Sequence, residues 1–471
     1  MRPCELTLTA ASEEIAAKRL SPVELTESVL EQVERHEDAV GAFAALTAET
    51  ALEQAALATE ELAAGSRRGA LHGIPLGVKA LVDRAGVETT SSSRTRRGHI
   101  PRADAAVVER LDRAGAVFIG QTHSHEFAYG VVTPTTRNPW NTDHIPGGSS
   151  GGSGAALAAR MVLGAIGTDT AGSIRIPSAV CGVTGLKPTY GRVSRFGTTT
   201  LSWSLDHIGP MGRTAADTAL LLQTLAGYDP RDPASVDVVV PDYGASLDAG
   251  VRELTIAIPS NYFFDRIDAE VEAAFRAAAE TLEAQGARLK EVRLPMTDQC
   301  MPIEYALLVA EASAYHQSNL RKQSDLYEED VRVMLEAGEM LLATDYIRAV
   351  RGRLLLQQAW REAFDEIDAV LAPTLPAPAA RVGEDAIAWP DGVIEPLVNA
   401  YVRTCAPANL TGLPAMSVPC GITTSGLPIG MQIIGRPFDE STVLQIGCAY
   451  QAETEWTGLV PGLDGEAWFY A

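Results

Sequence analysis

Between about residues 70 and 240, short uncharged runs alternate with helical segments, and no other feature of the chain restricts its fold as much. Ala116-Val117-Phe118-Ile119 and Val162-Leu163-Gly164-Ala165-Ile166 are too short for helices and too apolar for surface loops, so they predict buried strands. A helical segment over residues 105–114 precedes the first of them. Strand–helix alternation of this kind specifies an α/β fold around one large sheet. The remaining segments extend the pattern. Residues 254–258 predict a strand followed by a helix over 269–285. Residues 303–366 predict helix, 369–373 a strand, 415–419 and 430–434 paired strands, and the chain returns to helix from Ser441. The first 65 residues read as helices. One of these opens at Ser21-Pro22-Val23-Glu24, with Ser as cap, Pro in the first turn and Glu three residues on.

No long polar linker or internal repeat divides the 471 residues, so a single domain, 1–471, is expected. A net charge of −22 repels phosphate backbones and anionic lipid, which predicts neither a nucleic-acid nor a membrane partner. The six cysteines are scattered, without a C-x-x-C pair. With no apolar leader at the N-terminus and no run of about 18 apolar residues, this predicts a cytoplasmic protein.

Three segments carry chemistry. Gly147-Gly148-Ser149-Ser150-Gly151-Gly152-Ser153-Gly154 leads into an Ala-rich helix, so backbone N–H groups can approach an anionic centre without side chains in the way. It lacks the Lys of a phosphate loop. It matches G-x-S-x-G, but follows a Pro-containing loop rather than the strand a nucleophile elbow requires. Gly167-Thr168-Asp169-Thr170-Ala171-Gly172-Ser173-Ile174-Arg175 starts at a predicted strand end. Its small residues leave successive amides uncovered beside a hydroxyl, which suits an oxyanion site next to a nucleophile; a tight turn with a capping Ser is the plainer reading. Gly73-Ile74-Pro75-Leu76-Gly77-Val78-Lys79 ends an apolar run in one lysine. That lysine is either a snorkelling cation or, if desolvated, a base.

Together these segments resemble the amidase signature family. So do Glu126-Phe127-Ala128-Tyr129-Gly130, Asn138-Pro139-Trp140-Asn141, residues 182–189, and residues 409–414 with 435–440, a match spanning roughly residues 10–455. Ala80 and Ala171 depart from common family residues, Asp and Gly, without removing a reacting group. The resemblance implies a mixed central sheet flanked by helices on both faces. It also implies an N-terminal helical segment (1–65), a catalytic core (66–240) and a helical substrate-pocket region (about 300–400) in one domain. It implies a catalytic line Lys79–Ser149–Ser173, base, relay and nucleophile, with Ser149 after a cis peptide bond from Gly148. Amides of Thr170, Ala171, Gly172 and Ser173 form the oxyanion hole, and Ser150, Asp169 and Arg175 position the others.

The implied reaction hydrolyses a carbon–nitrogen acyl bond of a small amide, or of an ester or carbamate, with water, no cofactor and no metal. His123-Ser124-His125-Glu126 falls short of H-E-x-x-H because Tyr129 holds the last position. Tyr129, Tyr315 and Tyr401 are candidate pocket walls. A homodimer is a family-level expectation. The alternative within the family is the amidase component of a glutamyl-tRNA(Gln)-type amidotransferase complex.

Overall fold

The apolar runs become neighbouring strands of one sheet. In the computed structural model, which describes residues 2–463 and the strand Phe469–Tyr470, eleven strands line up in a single mixed sheet. Their order across the sheet is Phe43–Leu46, Val117–Thr122, Pro75–Lys79, Gly164–Asp169, His207–Gly212, Thr184–Lys187, Ala415–Ile422, Pro428–Gly435, Ala369–Pro373, Thr255–Pro259 and Arg288–Val292. Helices cover both faces, as the α/β reading requires, and the whole forms a single domain.

Pro75–Lys79, Val117–Thr122 and Gly164–Asp169 run parallel and are buried along their whole length, which is why their sequences show no polar alternation. Parallel direction brings their C-terminal ends to the same edge of the sheet, where ligands of α/β proteins bind. The middle of the sheet is antiparallel, and 415–422 pairs with 428–435 as expected. The outermost strand, Arg288–Val292, carries Arg288, Lys290 and Glu291, charges that discourage further pairing at a free edge.

After a first helix at Leu8–Ala16, the helix predicted to open at Ser21 runs Pro22–Val40. Ser21 Oγ accepts from Glu24 N (3.1 Å) and Glu24 returns the bond to Ser21 N (2.9 Å), the predicted capping box. Four strands of the sheet depart from the sequence reading, the charged edge strand Arg288–Val292 among them. Phe43–Leu46 interrupts the helical N-terminus, a four-residue edge strand too short to show a period. His207–Gly212 is rich in Gly and Pro and Thr184–Lys187 is only four residues long, yet both sit in the middle of the sheet. The strand predicted at 162–166 runs instead over Gly164–Asp169, because Gly167, Thr168 and Asp169 pair with Gly209, Ile208 and His207. Among the described residues no helix is long and apolar enough to cross a membrane, and the six cysteines are free.

Candidate active site

Lys79 is the last residue of its strand and has no exposed surface. Its Nζ donates to Ser149 Oγ and to Thr168 Oγ1, each at 2.7 Å. No carboxylate lies within ion-pair distance of it among the described residues. Burial holds the amine well below the ordinary lysine range, while the more distant charges of Asp169 and Asp206 oppose that shift only in part.

Ser149 follows a cis peptide bond from Gly148. A Cβ at residue 148 would lie 2.6 Å from the Val131 carbonyl carbon, so only glycine fits beside that loop. The Ser149 carbonyl accepts from His125 N (3.0 Å) and Thr133 Oγ1 (3.3 Å). Ser150 ties the segment to the next strand: its Oγ donates to Thr168 O (3.1 Å) and accepts from Thr168 N (3.2 Å), and its N–H donates to Ser173 O (3.1 Å). Ser153 and Thr122 share a hydroxyl–hydroxyl bond of 2.7 Å, which pins the helix Gly151–Ala158 to the sheet.

The turn after Gly164–Asp169 is organised by the Asp169 carboxylate. It accepts from the amides of Gly172 (2.8 Å), Ile174 (3.2 Å) and Arg175 (3.4 Å), from the Arg175 guanidinium (3.0 and 3.2 Å) and from Asn409 Nδ2 (2.8 Å). Asp169 and Arg175 are both fully buried. Burial alone would raise the Asp169 carboxyl, but the Arg175 charge and these donors hold it below the usual carboxylate range. Arg175 also reaches Gln432 Oε1 and Cys405 O, each at 3.0 Å. Gly172 has φ +117°, and a Cβ there would stand 2.7 Å from Cys405 Cβ.

The amides of Thr170, Ala171 and Ser173 have no hydrogen-bond partner among the described residues, whereas Gly172 N–H is already given to Asp169. Three of the four amides expected for an oxyanion hole are therefore open to a ligand, and the fourth serves the turn. The Ser173 side chain lies in the same segment, held to Ser149 through Ser150. No direct bond joins the two hydroxyls among the described hydrogen bonds. A cavity of about 230 Å³ opens beside the turn, with Thr168, Thr170, Asp206 and His207 in its wall. Asp206 is half-buried there, accepting from Thr170 Oγ1 (2.7 Å) and from the amides of Leu201 and Ser202 (3.0 Å each); desolvation pushes its carboxyl up to about 6.

The three tyrosines part company. Tyr401 is fully buried, and its hydroxyl donates to Pro378 O (2.6 Å) and accepts from Ala380 N (3.1 Å), so it is a strut and not a pocket wall. Tyr315 is 47% exposed and packs its ring on His316. Tyr129 is buried beside Ala128, which lines the cavity, and its hydroxyl has no partner among the described residues. His125 pairs with Asp330 (3.0 Å) and Glu126 accepts from Glu328 N (2.8 Å). Among the described residues no group of three or more His, Cys, Asp or Glu is arranged around a metal position. Sequence reasoning missed Thr168, Asp206, Asn409 and Gln432. Asn409 belongs to a stretch that carried the resemblance, but nothing local tied it to Asp169.

The family model for amidases matches residues 24–444. An amidase of Pseudomonas putida is 48% identical over 461 residues, covering 98% of each chain. A glutamyl-tRNA(Gln) amidotransferase subunit from Roseiflexus sp. is 42% identical, covering 98% of this chain and 99% of the relative. Among solved structures, one from a vestigial complex described as revealing the origins of an s-triazine catabolic enzyme superposes with a TM-score of 0.91. It is 33% identical and covers 95% of this chain and 98% of that one. Fold, site and relatives define one class, and the chain belongs to the amidase family, the amidase signature enzymes, as a hydrolase of amides.

Proposed function

We propose that the protein hydrolyses small amides through an acyl-enzyme on Ser173, with Ser149 as proton relay and Lys79 as base. A neutral amine has two N–H groups and one lone pair. Lys79 can then donate to Thr168 while its lone pair accepts the Ser149 proton at the same 2.7 Å separation. As Ser173 Oγ attacks the carbonyl carbon, its proton passes to Ser149 and that of Ser149 to Lys79. The carbonyl π bond opens, and the oxyanion meets the amides of Thr170, Ala171 and Ser173. Collapse expels the amine, which takes the proton back through Ser149. Water then attacks the ester by the same path and frees the acid. The two serine hydroxyls close to bonding distance when substrate displaces solvent, since catalytic hydrogen bonds commonly tighten in the complex.

The observation that carries this reading is a fully buried lysine held by two hydroxyls and no carboxylate. Its lowered pKa makes neutral amine abundant at a pH where a free lysine is almost wholly protonated, so activity rises with pH through the Lys79 pKa. Lys79→Ala should lower kcat/KM about 10²–10³-fold at neutral pH and flatten that limb. An unchanged pH–rate profile would reject Lys79 as the base. The same site accepts esters and carbamates, whose carbonyls pass through a similar oxyanion.

A second reading is supported by the full-length similarity to the glutamyl-tRNA(Gln) amidotransferase relative: the chain would release ammonia from an amide to a partner. Turnover of simple amides by the isolated protein, with no companion on co-purification, favours the stand-alone hydrolase. Activity appearing only when companion proteins are added favours the other.

A further inference from the structure

The peptide plane between Asp169 and Thr170 carries one of the open amides on one edge and is held by side chains on the other. A trans peptide is planar, and its C=O and N–H point in opposite directions. Whatever fixes the Asp169 carbonyl therefore fixes the direction of the Thr170 N–H. Pairing of Asp169 with His207 across their two strands sets the imidazole against this carbonyl. His207 Nδ1 lies 3.1 Å from Asp169 O and 2.6 Å from Leu205 O. Asn409 Nδ2 reaches the same Asp169 carbonyl at 3.3 Å while also donating to the Asp169 carboxylate.

Both partners of Nδ1 are carbonyl oxygens, which only accept, so the imidazole proton sits on Nδ1. The ring is buried with its edge toward Tyr190, and Nε2 has no partner among the described residues. Burial, and after it the charge of Lys187, hold His207 well below the ordinary histidine range, so the ring stays neutral and keeps this one donor. A single N–H thus ties two carbonyls together. One is that of Asp169, at the head of the nucleophile turn. The other is that of Leu205, next to Asp206, which accepts from Thr170 Oγ1 at 2.7 Å. Thr170 is held by its hydroxyl and by the peptide plane before it, while its N–H stays open beside the cavity.

We propose that His207 is a positioning residue that aims the Thr170 N–H at the oxyanion by holding the Asp169 carbonyl on the opposite edge of their shared peptide plane. It touches no reacting atom. The proposal rests on the acyl-enzyme reading of the site, because the aim of Thr170 matters only where an oxyanion forms. A donor fixed in place stabilises developing charge without having to turn toward it. Asn409 shares the carbonyl but also serves the carboxylate that organises the turn. Removing the His207 donor leaves Arg175 and Asn409 on that carboxylate, so it disturbs the aim of the amide and not the ion pair beneath it.

Two substitutions separate the donor from the ring. His207→Phe keeps a ring against Tyr190 and loses the N–H. His207→Asn loses the ring and returns an N–H close to the place of Nδ1. A trifluoromethyl ketone supplies the second readout: Ser173 Oγ adds to its carbonyl carbon, the proton leaves through Ser149 to Lys79, and the carbonyl oxygen becomes an oxyanion. His207→Phe should lower kcat about tenfold with KM within about twofold, and weaken the ketone by the same factor. His207→Leu, smaller than the imidazole and also without a donor, should do the same. His207→Asn should stay within about threefold of wild type on both measures. Wild-type kcat and ketone affinity in folded His207→Phe or His207→Leu overturn the proposal. A loss in His207→Asn as large as in His207→Phe overturns it too, because packing of the ring would then be what counts. A ketone that forms no adduct on Ser173 in the wild type overturns the acyl-enzyme reading itself, and this proposal with it.

Discussion

The turn at Asp169–Ser173 and the helical cover formed by Cys300–Gln323, Glu329–Glu339 and Ala343–Ala363 are held in opposite ways. In the turn, one carboxylate takes six donors, and its neighbours are buried on every side. The cover packs on the core through apolar residues such as Leu307, Leu335 and Trp360 and adds polar ties around its rim, among them Glu311, which accepts from Ser202 Oγ (2.6 Å) and Ser204 Oγ (2.7 Å). Asp330, which bonds His125, is 63% exposed on its side chain, and Arg94 reaches the Tyr327 carbonyl at 3.2 Å. Met340, Leu342, Leu354 and Leu355 face solvent. On the proposed reading, the chemistry sits in the part of the molecule that can least be altered. The same proposal assigns selectivity among amides to the part that tolerates change, as one reaction is adapted to many substrates.

Substitutions ranked by expected effect sharpen that contrast. Arg175→Met leaves Asp169 buried without its partner and should cost about 3–5 kcal/mol of unfolding free energy, read by urea denaturation. A loss below about 1 kcal/mol would show the turn to be no more rigid than the cover. Asp206→Asn comes next. It weakens the acceptor of Thr170 Oγ1 and removes a negative charge that favours protonated Lys79. The plateau of kcat/KM should fall roughly tenfold. Protonation of Asp206 as pH drops through about 6 spoils the same contact in the wild type, so the variant should also move its acid limb to lower pH. Asp330→Asn should do least. An exposed pair is worth about 0–1 kcal/mol, so KM should shift by less than about fivefold with kcat unchanged.

The strands that lead to Lys79 and to the Asp169–Ser173 turn were legible because full burial gives each a short apolar run. Thr184–Lys187 and His207–Gly212 were not, since Gly209 and Pro210 read as a turn until pairing with Gly164–Asp169 overrides them. In the site, Lys79, Ser149 and Ser173 stand in motifs visible along the chain. Asn409 reaches Asp169 across 240 positions and Gln432 reaches Arg175 across 257, contacts that no local pattern encodes. Tyr401 looked like a pocket wall because an aromatic near a predicted cover suits one, but its hydroxyl is spent on the backbone at 378 and 380.

Intact-protein mass spectrometry after rapid acid quench, with an activated acyl substrate whose deacylation is slow, tests the covalent step most directly. The expected result is one added acyl group, mapped by peptide fragmentation to Ser173 and absent in Ser173→Ala. Turnover without any adduct, or an adduct on Ser149 in place of Ser173, would contradict the account.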